Sequence, residues 1–267
     1  MTFNATELLL AFYDNIDIFL LILIRMIGFV MVLPVLSGTN VPNVTKVGLC
    51  IFLAVIVLSS GTARQATYDD TLFGYIFLMV KEFLVGFITA FLVYMVFSVF
   101  YFVGQLVDFQ IGFSMVSVFD PMIQIQVPIT GNLFYLVISM LFVQSGGLRN
   151  MIYTIAKSYT ILPIGKASLI SNAAVMRYIL DIMVNYFLIG IQFALPIVGT
   201  VLIVDIALGL LTKAVPQMNV FVVGMPIKLL VGLIVLYMIA PAFGSMYSYL
   251  YTEATRFMMN VLRGMMP

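Results

Sequence analysis

Two long apolar runs, 178–211 and 220–251, face each other across a turn of eight residues, and no other feature of the sequence constrains the fold as tightly. As helices, these arms would each measure roughly 50 Å at 1.5 Å per residue. A third run, 72–107, is broken only by Lys81 and Glu82 and would reach ~54 Å. The hydrocarbon core of a bilayer is only ~30 Å thick, and tilt absorbs a few ångströms of such a mismatch, not about twenty. Helices of this length either break inside the membrane or pack into a tall assembly that stands partly outside it. Shorter apolar segments lie at 16–36, 44–60 and 129–143, the first ended by Pro34, Gly38 and Pro42. Charged residues make up 9% of the chain, against roughly 25% in soluble domains, too few to coat a water-facing surface. The expected fold is an all-α membrane protein of long helical hairpins. Pro196, Pro226 and Pro241 should kink the arms.

Several function classes are excluded. Histidine is absent and Cys50 is the single cysteine, so neither the usual His/Cys zinc site nor an internal disulfide can form. Cys50 lies in an apolar run and reads as a buried packing residue. A net charge of +1 offers no footprint for nucleic acid. The N-terminal flank carries Glu7, Asp14 and Asp17 and no base, unlike a secretory signal, so the first apolar segment is expected to stay in the mature chain. No cofactor and no enzymatic chemistry are expected. Orientation by the positive-inside rule gives no single answer: Lys46 and Lys213 fall inside, but Arg149, Lys157, Lys166 and Arg177 would then lie outside.

Six charges sit within or at the edge of apolar segments: Arg25, Lys81, Glu82, Asp181, Asp205 and Lys228. A lone charge at mid-bilayer costs at least ~2.5–3.5 kcal/mol. A proton relay wants carboxylates in series, and these are scattered, which favours charges that fix how helices dock. Asp205 and Lys228 lie seven residues before and nine after the 212–219 turn. In an antiparallel hairpin they reach similar depth and should form a salt bridge. Lys213, Pro216 and Gln217 mark the turn itself. Ala240, Gly244, Ser248 and Thr252 recur every fourth residue, a stripe of small side chains suited to close helix contacts, including contacts between subunits.

The stretch 108–128 is apolar yet broken by Gly112 and Pro121. Irregular backbone at membrane depth must be buried in protein or line a cavity, so the physical reading is a re-entrant loop. Phe109, Phe113, Met115, Phe119 and Met122 supply bulk and adaptable fill, and Gln110 and Asp120 are its polar members. Two readings stay open on these residues alone: a plug or gasket in a channel, or a loop that buries its side chains on a neighbour.

The run from Gln110 to Pro121, Gln-Ile-Gly-Phe-Ser-Met-Val-Ser-Val-Phe-Asp-Pro, resembles the matching loop of the FliR/SctT family of type III secretion export-gate subunits. Three further stretches agree with that family: 32–42, Leu162-Pro-Ile-Gly165, and Ala207-Leu-Gly-Leu-Leu-Thr-Lys-Ala-Val-Pro-Gln-Met-Asn-Val-Phe221 followed by Gly224-Met-Pro-Ile-Lys228. The resemblance covers nearly the whole chain. It implies one export-gate domain over 1–267, with a FliP-like region at 1–177 that includes a plug loop at 108–128, and a FliQ-like hairpin at 178–267. It further implies a pore-forming complex with FliP and FliQ, contact with FlhB, and passage of unfolded flagellar subunits. The implied location is the cell membrane at the flagellar basal body. No catalytic residue comes with the family. Lys213 stands where many members have arginine, and Asp205 is not a strict family position, so the Asp205–Lys228 pairing rests on this chain alone. The alternatives are the homologous subunit of a virulence secretion system, and a secondary transporter or ion channel. A transporter would show inverted repeats and converging carboxylates, and neither is visible.

Overall fold

The computed structural model describes residues 16–38, 41–61, 72–113, 128–168 and 173–266, and among these every regular element is a helix. In chain order they are α1 (Ile16–Val32), α2 (Asn43–Ser59), α3 (Leu72–Ile111), α4 (Ile129–Gln144), α5 (Gly147–Ile161), α6 (Ala173–Ala214), α7 (Val220–Ile239) and α8 (Ala242–Gly264). Two of the expected overlong helices are continuous. α3 has 40 residues and α6 has 42, each ~60 Å long. The second arm of the hairpin departs from the expected single run. It breaks at Ala240–Pro241 into α7 and α8, because proline supplies no amide hydrogen and its ring clashes with the preceding turn. Pro196 and Pro226 remain inside their helices.

Another departure is the end of α3. The irregular stretch was expected from Asp108, but the helix runs on to Ile111. The amide of Gly112 still bonds the Asp108 carbonyl at 3.1 Å, and Gly112 then turns the chain with φ +99°, the left-handed conformation that ends many helices. Residues 144–177, which carry Arg149, Lys157, Lys166 and Arg177, hold α5 and the first turn of α6. The re-entrant form of the loop falls on 114–127, outside the described residues.

The helices divide between two compact units that interleave along the sequence. The first contains 1–94, 143–182 and 253–267. Its core is the buried stripe of α1, Leu21, Ile22, Met26, Phe29 and Val30, at helical spacing. Glycines let α1 and the first half of α3 touch backbone to backbone. A Cβ at Gly86 would run into the Arg25 carbonyl, and one at Gly28 into the Phe83 carbonyl. Along this half of α3, Phe83, Phe87, Phe91 and Tyr94 stack in series with centroids 5.7–6.4 Å apart. Cys50 on α2 is buried.

The second unit contains 95–142 and 183–252. Its aromatic centre is Phe243, whose ring lies 4.5 Å from that of Phe134 and 4.9 Å from that of Phe193. Phe97 meets Tyr135 and Phe142 edge-on, while Gly104 sits against the backbone of Gly131. These contacts make α3 and α4 antiparallel in this unit. The segment of α6 from 183 onward runs parallel to α3: Phe187 and Phe193 contact Phe102 and Phe100, and farther along both helices Val201 packs with Val107 and Ile111 and Asp205 meets Gln110.

Candidate functional site

The site that geometry marks out in the second unit is the root of the 112–128 segment. Asp108, 2% exposed, lies one turn before the end of α3. Both its carboxylate oxygens accept from the Thr130 amide, at 3.1 and 3.0 Å. Thr130 sits in the first turn of α4, where backbone donors have no helical partner and a negative charge is favoured. A residue of one helix thus caps the next, and the chain leaves and re-enters this pair at nearly the same place. Two residues on, Gln110 donates its side-chain amide to Asp205 at 3.3 Å. Asp205 in turn forms a salt bridge with Lys228. The pair expected across the hairpin is therefore present, about one-third exposed on each side chain, and it also receives the last turn of α3.

Apolar contacts reinforce this root. Ile111 packs with Val107, Ile197 and Val201, and Phe113 lies against the same cluster. A Cβ at Gly232 on α7 would run into Ile111. Beside the ion pair is a cavity of about 200 Å³, lined by Gly112, Asp205, Leu208, Gly209, Phe221 and Lys228 among others. Among the predicted plug residues, then, Gln110 and Phe113 are tied to the hairpin, Phe109 is 75% exposed, and Gly112 makes the turn. Met115, Phe119, Asp120, Pro121 and Met122 lie outside the described residues.

The hairpin turn is exposed at Lys213, Pro216 and Gln217. It is closed by a Met218 amide bond to the Val215 carbonyl at 3.1 Å, and Asn219 starts α7 by accepting from the Phe221 amide at 3.1 Å. The stripe of small residues is divided. Ala240 precedes the break, Ser248 and Thr252 are exposed on α8, and no heavy atom of the described residues comes within 4 Å of a Cβ built on Gly244. The buried face of α8 is another one, formed by Phe243, Met246, Tyr247 and Leu250.

Sequence reasoning missed the strongest polar feature, which is in the first unit. Arg25 and Glu82 are both fully buried, with Arg25 Nε to Glu82 Oε2 at 2.6 Å. The remaining Arg25 donors reach the Leu162 carbonyl, at 3.2 Å from each terminal nitrogen, and Ser158 Oγ at 3.1 Å. Glu82 Oε1 accepts from the Gly165 amide at 3.0 Å. The guanidinium lies 4.2 Å from the Tyr159 ring centroid, and Tyr159 donates to the Ile22 carbonyl at 3.1 Å. The Leu162-Pro-Ile-Gly165 turn is thus held at both ends by one ion pair. A signal was available: Arg25 and Gly28, like Glu82 and Gly86, share one helix face by spacing of three and four.

Among the described residues, three helices are long and apolar enough to cross a membrane: α3, the 176–214 stretch of α6, and α7. Their most apolar windows are 61%, 22% and 11% buried within the chain, so the hairpin offers most of its apolar surface to lipid or to other subunits. This is a helical membrane protein with several spans. Residues 16–254 match the family of bacterial export proteins, family 1, and the chain belongs to that family. It is similar to the flagellar biosynthetic protein FliR of Bacillus subtilis, with 33% identity over 84% of this chain and 86% of the relative. Similarity to FliR of Escherichia coli is 26% over 90% of each chain. The surface presentation of antigens protein SpaR of Shigella flexneri is 25% identical over 85% of this chain and 88% of its own length.

Proposed function

We propose that this chain is a subunit of the bacterial type III protein export gate, acting in flagellum assembly. The observation that carries the proposal is a family match running through nearly every described element, from α1 to the middle of α8. The flagellar setting is supported by the 33% identity to a flagellar relative, against 25% to SpaR. In this reading the chain sits in the inner membrane at the flagellar basal body. It builds the export pore with FliP and FliQ, contacts FlhB, and passes unfolded flagellar subunits. It positions polypeptide rather than transforming it, and is not an enzyme. Residues 1–177 play the FliP-like role and 178–267 the FliQ-like one. The 108–128 segment is the plug, and the capped, ion-paired root described above would fix where such a plug starts and ends.

A deletion strain tests the flagellar assignment: it should be non-motile, with flagellar subunits retained in the cell. A strain that swims normally but fails to secrete effectors would place the chain in a virulence system instead. Replacing Phe113 and Phe119 together with alanine, or shortening 110–120, should let the assembled complex leak small ions. Unchanged membrane conductance would remove the plug assignment while leaving gate membership standing.

A further inference from the structure

Between Asp120 and Asp181 the chain has no acidic residue, yet it carries Arg149, Lys157, Lys166 and Arg177. The structure shows where three of these cations stand. α4 exposes apolar side chains along its length, with Leu133, Leu136, Met140 and Val143 each more than half exposed. That face ends at Val143. Gly146 then turns the chain with φ +71°, and α5 begins with a different character. Its buried face is Met151, Ile155 and Tyr159. Its exposed face carries Arg149, Tyr153 and Lys157 at spacing of four, with the Lys157 ammonium 5.9 Å from the Tyr153 ring centroid. Lys166 is exposed just beyond the helix. The buried ion pair holds the Leu162 carbonyl and the Gly165 amide, so the Lys166 backbone is set on a fixed turn.

We infer that the exposed face of α5, together with Lys166, binds the headgroups of anionic phospholipid at the edge of the hydrocarbon layer. An apolar exposed helix followed at once by a basic, tyrosine-bearing amphipathic one is the order in which a chain crosses from acyl chains to headgroups. Basic side chains there meet phosphate oxygens, while their methylene stems stay with the apolar layer. Charge complementarity selects the lipid: this face has cations and no carboxylate of its own. The inference rests on the membrane character of the chain and is independent of the plug and of the pore partners.

The test uses the full chain co-expressed with its gate partners, purified in mild detergent, with retained phosphatidylglycerol and phosphatidylethanolamine quantified by mass spectrometry. In the R149Q/K157Q/K166Q variant the phosphatidylglycerol-to-phosphatidylethanolamine ratio should fall, by about fivefold per cation at most, the equivalent of ~1 kcal/mol for each basic residue at an anionic surface. R149K/K157R should keep the wild-type ratio. Should the triple variant fold poorly, K157Q alone must still lower the ratio. A wild-type ratio in the variants overturns the inference. So does lost export at a wild-type ratio, which would assign the face to an acidic protein segment.

Discussion

Arg25 and Glu82 lie entirely out of solvent, and the consequences of breaking them apart can be worked out. Replacing Glu82 with leucine leaves a guanidinium in the core with neutral partners only. Replacing Arg25 with methionine leaves a carboxylate whose remaining bond is the Gly165 amide. Removing one member of a buried pair costs ~3–5 kcal/mol, chiefly through the uncompensated charge that remains. At ~2–4 °C per kcal/mol for chains of this general size, the melting temperature of the purified full chain should drop by roughly 6–20 °C in either single variant. Arg25→Met with Glu82→Leu removes both charges. It should cost clearly less than the two single losses added together, because no uncompensated charge remains and what is left is the loss of partners by the Leu162 carbonyl and the Gly165 amide, at about 1–3 kcal/mol each. The assay is thermal unfolding in detergent of all four proteins, read as a double-mutant cycle. If the double variant loses the sum of the two single losses, the pair is uncoupled and the reasoning fails.

Three further outcomes follow from the geometry. Asp108→Ala should destabilise the chain by about 1–3 kcal/mol, since it orphans the Thr130 amide and removes the charge at the start of α4; Asp108→Asn should cost less, and limited proteolysis should find new cleavage between α3 and α4 in the alanine variant first. Asp205→Ala should impair assembly with the gate partners, and the exchange Asp205→Lys with Lys228→Asp should restore some of it in co-purification; no rescue would count against the pairing. Gly86→Leu and Gly104→Leu should each reduce folded yield sharply, because backbone occupies the space that a side chain would need, whereas Gly199→Leu, with nothing within 4 Å of its Cβ position, should be tolerated by the same measure.

What the sequence revealed, and what it hid, follows from range. Hydrophobic run length is a local property, so α3, α6 and the hairpin turn were readable, and symmetry about that turn was enough to bring Asp205 to Lys228. Pro241 was seen, but whether a proline kinks a helix or ends it depends on the packing around it, and Pro196 and Pro241 differ in outcome. The Arg25–Glu82 pair spans 57 residues and joins helices whose contact depends on Gly28 and Gly86. The charges were visible one by one, but nothing local said which would meet. The Asp108 cap was hidden for the same reason. Its partner is an amide on another helix, 22 residues away, and backbone amides leave no mark in a sequence. Family motifs named the Leu162–Gly165 turn without explaining it; the explanation is that both its ends are bonded by charges from elsewhere.

The burial of Cys50, with 3% exposure, has a practical side. The chain has no other thiol and no tryptophan, so a single cysteine introduced at Phe109 or Gln217 would be the accessible one, and a single tryptophan at Phe113 would be the sole indole signal. Spin labels, crosslinkers and quenchers can therefore be placed one position at a time on an otherwise native background, and movement at the root of the 112–128 segment can be followed while polypeptide is in transit.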